Sequence, residues 1–503
     1  MTVDEILQQP FVPLPDLIRK HARERPAHAA LVQEERRLDY AGLDALMDRI
    51  AAALQRDGLR PKDAIAICAA TSIEYAALFL GALRAGVAVA PLSPSATAEA
   101  IAGMAKDSGA KRFFGDEDLS QLEVWLAPRG ARPEPVAIQP DWPFNIIYSS
   151  GTTGAPKGIV QPHVMRWRHV QRSVLTGYGP EAVTLLSTPL YSNTTLVSFF
   201  PTVSLGGTAV LMAKFGVAAY LALAQKHRVT HTMLVPVQYQ RIMASPDFGR
   251  YDLSSFRVKT CTSAPFAAAL KADVLARWPG RLIDVYGMTE GGGTCILEAR
   301  EHPDKLHTVG RPAPGHDIRL IDDAGREAAP GDAGEIVGHS AASMTGYHNQ
   351  PAKTREAEWF DAAGRRFIRT GDIGRFDADG FLVLLDRKKD MIISGGFNVY
   401  PSDLEAVLKR HADVSEAAVV GVPSETWGET PLAFVVLKSN SSLGESELLG
   451  WSNERLGKMQ RLAAVHFVDA LPRSPIGKVL KRELRDRHGT AKALDERRGP
   501  RTP

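Results

Sequence analysis

Ser149-Ser150-Gly151-Thr152-Thr153-Gly154-Ala155-Pro156-Lys157-Gly158 is the stretch on which the reading of this chain turns. Three non-terminal features stand out: closely spaced glycines, four hydroxyls and one lysine, all directly after the apolar run Phe144-Asn145-Ile146-Ile147-Tyr148. A strand that feeds such a loop brings backbone N–H groups, hydroxyls and an ammonium to one point, a donor set suited to a polyphosphate. The spacing is not that of a P-loop, because Pro156 stands where the second glycine would fall and no Gly-Lys-Ser/Thr follows. Nor is it a G-x-G-x-x-G turn. Thr152, Thr153 and Lys157 are the candidate phosphate contacts, with Ser149 at the mouth of the loop.

Outward from this loop, strand and helix patterns alternate. Residues 64–70 read as a buried strand, 72–85 as an amphipathic helix ending at Gly86, and 87–90 as the next strand. The unit repeats as strand 183–187, helix 195–205, strand 208–212, helix 217–227 and strand 230–235. Strand 257–262, helix 265–277 and strand 282–286 follow. Such alternation predicts an α/β fold with helix-covered, largely parallel sheets, whose ligands bind beyond the carboxyl ends of the strands. The segments 149–158 and 287–293 both follow strands, so both are expected to line one crevice. After Gly310 the texture changes. Residues 318–321 and 334–338 suggest a hairpin in a β subdomain, and a small α+β unit with strands at 416–422 and 432–437 closes the chain. The charged run Asp386-Arg387-Lys388-Lys389-Asp390 marks the expected boundary: a domain over 1–386, a mobile domain over 387–487 and a flexible tail over 488–503.

Composition narrows the function classes. At 503 residues the chain exceeds what one core of about 250–300 residues accommodates, so more than one domain is expected. A formal net charge of +3 gives no footprint for nucleic acid. Cys68, Cys261 and Cys295 form no C-x-x-C pair, which argues against a thiolate zinc site and fits a reducing cytosol. The acidic start Met1-Thr2-Val3-Asp4-Glu5 has no signal-peptide character, and no apolar run reaches the about 20 residues of a membrane span. A cytoplasmic protein with no membrane partner is expected.

The loop resembles the pyrophosphate-binding motif of the acyl-adenylate-forming superfamily, which includes acyl-CoA synthetases. Tyr286-Gly287-Met288-Thr289-Glu290, Arg369-Thr370-Gly371-Asp372, the run from Asp386 to Glu405, and Pro472-Arg473-Ser474-Pro475-Ile476-Gly477-Lys478 resemble further family motifs in the family's order. The resemblance implies an ATP-dependent ligase that joins a small-molecule carboxylic acid to coenzyme A through an acyl-adenylate. Thr152, Thr153 and Lys157 would then hold the β- and γ-phosphates, and Thr289 the phosphates as well. Glu290 would contact Mg²⁺, because a carboxylate beside phosphates is costly unless it carries a cation. Tyr286 would stack on adenine, bordered by Gly287 and the turn Ser263-Ala264-Pro265. Asp372 would accept both ribose hydroxyls, and Arg387 would reach ribose or the α-phosphate. Lys478 would stabilise the adenylation transition state. Rotation about Lys389 would then exchange it for Gly395, Gly396 and Phe397, which border the pantetheine of coenzyme A. A homodimer and a lysine acetyltransferase acting on Lys478 are the protein partners this reading allows.

The chain also departs from the family pattern. Tyr191-Ser192-Asn193 occupies the place of a Phe-His pair that gates the acyl pocket in many relatives, and Ser192 stands for the histidine. Tyr191, Ser192, Asn193, Tyr239 and Gly291 are the candidate pocket residues. Their hydroxyls, amide and bare backbone favour a short branched or 2-hydroxy acid, as in 2-hydroxyisobutyryl-CoA ligases, over a medium-chain or aromatic acid. The absence of Arg or Lys from 189–195 and 286–293 weighs against a dicarboxylate. The alternative acceptor is the phosphopantetheine of a carrier protein.

Overall fold

The computed structural model describes residues 3–149, 157–394, 397–424, 427–457, 460–473, 477 and 479–488. By packing, the chain forms two compact units: residues 1–318 with 337–369, and residues 319–336 with 370–503. The charged run 386–390 lies inside the second unit, and the strand Arg366–Phe376 carries the chain from one unit into the other.

The first unit contains a nine-stranded sheet. Its order is Arg311–Pro312, Thr294–Glu298, Arg281–Gly287, Val258–Cys261, His231–Leu234, Val183–Leu186, Thr208–Leu211, Ala29–Gln33, Arg36–Asp39. The run from Arg281–Gly287 to Ala29–Gln33 is parallel throughout, and the edges are antiparallel. Strands such as Thr208–Leu211 and Val258–Cys261 are buried at every position, as expected for parallel strands covered on both faces. The helices Asn193–Ser204, Val217–Lys226 and Ala268–Arg277 are the expected crossovers.

The same unit holds a six-stranded sheet ordered Gly346–Tyr347, Lys157–Pro162, Pro143–Ser149, Ala88–Pro91, Ala64–Cys68, Ala110–Gly115. The helix Ile73–Arg84 covers it. Ser72 Oγ caps that helix by accepting from the Tyr75 amide at 3.1 Å, and Gly86 ends it at φ +70°. Phe144, Phe79 and Phe200 pack edge to face or tilted between the sheet and its helices, with Phe144 and Phe200 centroids 4.9 Å apart.

In the second unit, Leu382–Arg387 pairs antiparallel with residues 372–376. A sheet ordered Phe397–Val399, Ile392–Ser394, Gly428–Leu437, Val414–Ser424 follows, with Ala464–Phe467 parallel to Gly428–Leu437. Pro401–Leu408 and Glu445–Asn453 supply its helices. This is the α+β arrangement expected from the sequence.

One buried ion pair fixes helix to sheet in the first unit. Lys271 Nζ lies 2.6 Å from Asp284 Oδ2 and also donates to the carbonyls of Leu306 and Thr308 at 3.0 Å. Removing one partner strands a buried charge, at a cost of about 3–5 kcal/mol. Lys271→Met is therefore expected to lower the urea unfolding free energy by that amount, and adding Asp284→Leu to recover most of the loss.

Candidate active site

The strands Pro143–Ser149 and Lys157–Pro162 pair antiparallel, with Ser149 opposite Lys157. They therefore flank the Gly/Thr loop as the two arms of a hairpin. Thr152 and Thr153 lie outside the described residues, as does the side chain of Ser149. Lys157 is half-buried, with its Nζ 4.9 Å from the centroid of the Tyr347 ring. On the same tyrosine, the phenol donates to Glu290 Oε1 at 2.9 Å. Burial first, and the Glu290 charge second, hold the Tyr347 phenol well above its ordinary pKa, so it remains a donor. The lysine of the phosphate loop and the carboxylate of the Thr-Glu motif thus meet on one ring. Glu290 accepts from this hydroxyl and forms no ion pair among the described residues, so its remaining oxygen suits a Mg²⁺ that takes its other ligands from phosphate and water. No cluster of three or more His, Cys, Asp or Glu side chains able to hold a metal occurs among the described residues. Tyr347 lies far along the chain from both motifs, and no local pattern marks it.

Beneath the hairpin lies a buried guanidinium. Arg166, on the helix His163–Ser173, donates to Asn145 Oδ1 at 3.0 and 3.1 Å, to Asn193 Oδ1 at 2.9 Å and to Gln161 Oε1. Gln161 Nε2 donates to the Thr289 carbonyl at 2.6 Å, and Asn145 Nδ2 donates to Gln161 Oε1 at 2.9 Å. Burial alone depresses the Arg166 pKa to about 9. Neutral amide oxygens, not a carboxylate, satisfy the charge. Arg166 thereby joins both arms of the hairpin and Asn193, and Gln161 carries the link on to Thr289.

Around the expected base site, Ser263 adopts φ +81°, a left-handed conformation costly for a residue with a Cβ. Its hydroxyl shares a 2.7 Å hydrogen bond with Thr194 Oγ1. Ala264 is half-buried and Pro265 exposed, and Tyr286 and Gly287 end a strand of the nine-stranded sheet.

The pocket candidates separate. Tyr239 is fully buried, stacked on Phe266, and donates its phenol to the Thr260 carbonyl at 3.0 Å. That placement leaves it no surface for a substrate, and the expectation that it lines the acyl pocket is corrected accordingly. Gly291 adopts φ +75°, and a Cβ there would lie 2.1 Å from the Ala342 carbonyl oxygen. Close packing against its own chain requires this glycine. Ser192 is buried at the start of the helix Asn193–Ser204, and Tyr191 is half-buried. Thr195 is engaged by Thr188 and the Pro189 carbonyl. Asn193 is half-buried, and because arginine can only donate, its oxygen faces Arg166 and its NH₂ group points elsewhere as an oriented donor.

In the second unit, Asp372 and Arg387 are cross-strand partners, with Oδ1 and Nε 2.6 Å apart. Lys388 pairs with Asp323 at 2.8 Å and Glu335 at 3.2 Å. Lys389 is exposed. Asp390 lies 3.5 Å from Arg485. Gly395, Gly396 and Lys478, and the side chain of Phe397, lie outside the described residues.

A strand hairpin around a Gly/Thr loop, a Thr-Glu motif tied to it, and a separate α+β unit define an AMP-forming acid–thiol ligase, a class that works with ATP, Mg²⁺ and coenzyme A. Residues 18–348 match the family described as AMP-binding enzyme, and residues 403–478 match the AMP-binding enzyme C-terminal domain. The chain belongs to this family. It is 33% identical to a feruloyl-CoA synthase of Amycolatopsis sp, over 93% of this chain and 98% of that one. It is 32% identical to the fatty acid–[acyl-carrier-protein] ligase ScoC of Streptomyces coeruleorubidus, over 93% of this chain and 95% of that one. Among solved structures it is similar to the o-succinylbenzoate CoA synthetase of Bacillus subtilis in complex with its acyl-adenylate intermediate. There the TM-score is 0.83 at 27% identity, covering 94% of this chain and 98% of that one. No described helix is long and apolar enough to cross a membrane.

Tyr347→Phe removes the hydroxyl from Glu290 and keeps the ring under Lys157. A hydrogen bond to a charged group contributes about 1.5–3 kcal/mol. The variant is expected to raise the Mg²⁺ concentration for half-maximal activity by about tenfold, read from acid-dependent pyrophosphate release, while folding normally.

Proposed function

We propose that the chain converts a small carboxylic acid into its coenzyme A thioester in two half-reactions. The observation that carries this reading is the 2.6 Å hydrogen bond from Gln161 to the Thr289 carbonyl, which ties the phosphate-loop hairpin to the Thr289-Glu290 motif. In the first step an oxygen of the acid's carboxylate forms a bond to the α-phosphorus of ATP, and the bond to the bridging oxygen breaks to release pyrophosphate. In the second, the thiolate sulfur of coenzyme A attacks the acyl carbonyl and AMP leaves with the C–O bond electrons. Mg²⁺ held at Glu290 would neutralise phosphate charge. Thr152, Thr153 and Lys157 bind the β- and γ-phosphates, Ser149 borders them, Asp372 and Arg387 take the ribose, and Tyr286 with the Ser263–Pro265 turn takes the base.

Lys478 acts in adenylation only, where two anions converge and a positioned cation has most effect. The 387–487 segment then rotates about Lys389 to bring Gly395, Gly396 and Phe397 to the pantetheine. The exposed position of Lys389 in the charged run supports that hinge. Acetylation of Lys478 would remove its charge and silence the first step. Lys478→Ala is expected to lower acid-dependent pyrophosphate exchange by about 10²–10³-fold and to leave thioester formation from preformed acyl-adenylate near normal. Lys389→Pro is expected to do the reverse, since proline restricts its own φ and the residue before it. Equal loss of both half-reactions in either variant would refute the assignment.

For the acid, we propose a short branched or 2-hydroxy compound. The oriented amide of Asn193 supports it, because a site built to bond a substrate oxygen discriminates against the analogue lacking it. A carboxylic acid panel tests the proposal, with highest kcat/KM expected among acids of four or five carbons. Octanoate or benzoate outperforming all of these would overturn it. The similarity to a carrier-protein ligase favours one second reading, phosphopantetheine of a carrier as acceptor. In that case the panel would release pyrophosphate without forming soluble acyl-CoA.

A further inference from the structure

Thr289 and Glu290 occupy the two central positions of a β-turn, which the Gly291 amide closes on the Met288 carbonyl at 3.0 Å. The peptide between the central residues of such a turn takes no part in the closing hydrogen bond. It can flip, and a flip re-aims both central side chains. Neither Thr289 nor Glu290 has a positive φ, so the turn is not of type II, which would need one at Glu290. The carbonyl of the central peptide is that of Thr289, and Gln161 Nε2 donates to it at 2.6 Å. The next carbonyl, of Glu290, accepts from the Met344 amide at 2.8 Å. The motif backbone is thus held at two successive carbonyls, the first of them by a side chain.

That side chain cannot turn over. Gln161 is fully buried on the strand Lys157–Pro162, and its Oε1 accepts from Arg166 and from Asn145 Nδ2, the latter at 2.9 Å. Asn145 is set in the same way, its Oδ1 accepting from Arg166 at 3.0 and 3.1 Å. Arginine only donates, so the NH₂ end of Gln161 is the end that faces Thr289. A reversed amide would set its NH₂ against the guanidinium and its oxygen against the Thr289 carbonyl. Donors and acceptors would both be stranded in a buried place. The direction of one amide therefore passes from Arg166 to the turn that carries Glu290.

We infer that Gln161 is a positioning residue for adenylation. It fixes the central peptide of the turn Met288–Gly291, and so aims Glu290 at Mg²⁺ and Thr289 at the phosphates. The inference rests on the ligase reading, which puts metal and phosphates at this motif. It adds to that reading a residue that stands outside the motifs from which the nucleotide site was named. Gln161 supplies no charge to the reaction. Its effect comes through geometry, where a displacement of about 1 Å costs about 10²-fold.

The test sets Gln161→Glu against Gln161→Met in the full-length chain. Beside Arg166 the new carboxyl is ionised and still accepts from Arg166 and Asn145, but it has no N–H for the Thr289 carbonyl. Methionine has a similar shape and serves none of these neighbours. Gln161→Glu is expected to keep the urea midpoint of the wild type, and Gln161→Met to lower it. ATP binding is measured by calorimetry with Mg²⁺ and with EDTA, and the ratio of the two dissociation constants is the gain due to the metal. That gain is expected to fall about tenfold in both variants, the scale of one lost buried hydrogen bond, with metal-free ATP binding near that of the wild type. Acid-dependent pyrophosphate release should fall with it, and thioester formation from preformed acyl-adenylate should stay near normal. Each ratio is read within one variant, so a smaller folded fraction does not enter it. A gain retained in Gln161→Glu, or lost only in Gln161→Met together with its urea midpoint, would make the link purely structural and overturn the inference. A wild-type chain with no metal gain would overturn it as well. Loss of the gain in both variants, with no pyrophosphate released by the wild type on any acid, would uphold the positioning role and refute the ligase reading instead.

Discussion

A guanidinium held by amides is the interaction on which the catalytic unit depends. Arg166 is fully buried, and its partners are the side-chain oxygens of Asn145, Gln161 and Asn193. A carboxylate would have neutralised the charge with little demand on direction. Amide dipoles stabilise it only when their oxygens point at it, so each partner's orientation is specified. The other ends of those amides are specified too. Gln161 reaches Thr289 in this way, and Asn193 turns its donor away from the arginine. Packing against the rings of Phe144 and Phe200, at 5.8 and 5.5 Å, holds the guanidinium plane in place.

The alternating sheet was legible because its strands are short apolar runs and its crossover helices have clean periodicity. The expected helix over 72–85 is observed at Ile73–Arg84 with Ser72 as its cap, and the expected strands at 183–187, 208–212 and 230–235 fall within a residue or two. The sheet edges were less legible. Ala29–Gln33 joins the nine-stranded sheet beside Thr208–Leu211 across a wide sequence separation, and no local pattern announces such a partner. The helix His163–Ser173 was not among the expected elements. Its sequence His-Val-Met-Arg-Trp-Arg-His-Val-Gln-Arg-Ser is too polar to show an apolar stripe, although Arg166 and Trp167 are fully buried. Intrinsic polarity misleads wherever tertiary contacts supply the partners.

The site was legible in its motifs and illegible in its wiring. Glu290, Asp372 and Arg387 were named through the family motifs in which they stand, and the cross-strand register makes the last two direct neighbours. The hydroxyls of Tyr191 and Ser192 were expected as substrate contacts, and the adjoining Thr194 and Thr195 spend theirs on Ser263, Thr188 and the Pro189 carbonyl. Composition reveals which polar groups a segment carries. It does not reveal which of them the fold has already used, and a binding pocket is made from the remainder.

The ring of Tyr347 has a further consequence. Lys157 and Glu290 carry opposite charges on either side of one side chain, and they form no ion pair with each other. Without a spacer, an ammonium and a carboxylate at such a place would close on one another, and an arriving nucleotide would first have to prise them apart. The aromatic ring attracts the cation through its face while its hydroxyl engages the anion, so each charge is anchored and neither is consumed. Both groups therefore stay available, with little rearrangement left for the moment when triphosphate and metal arrive together.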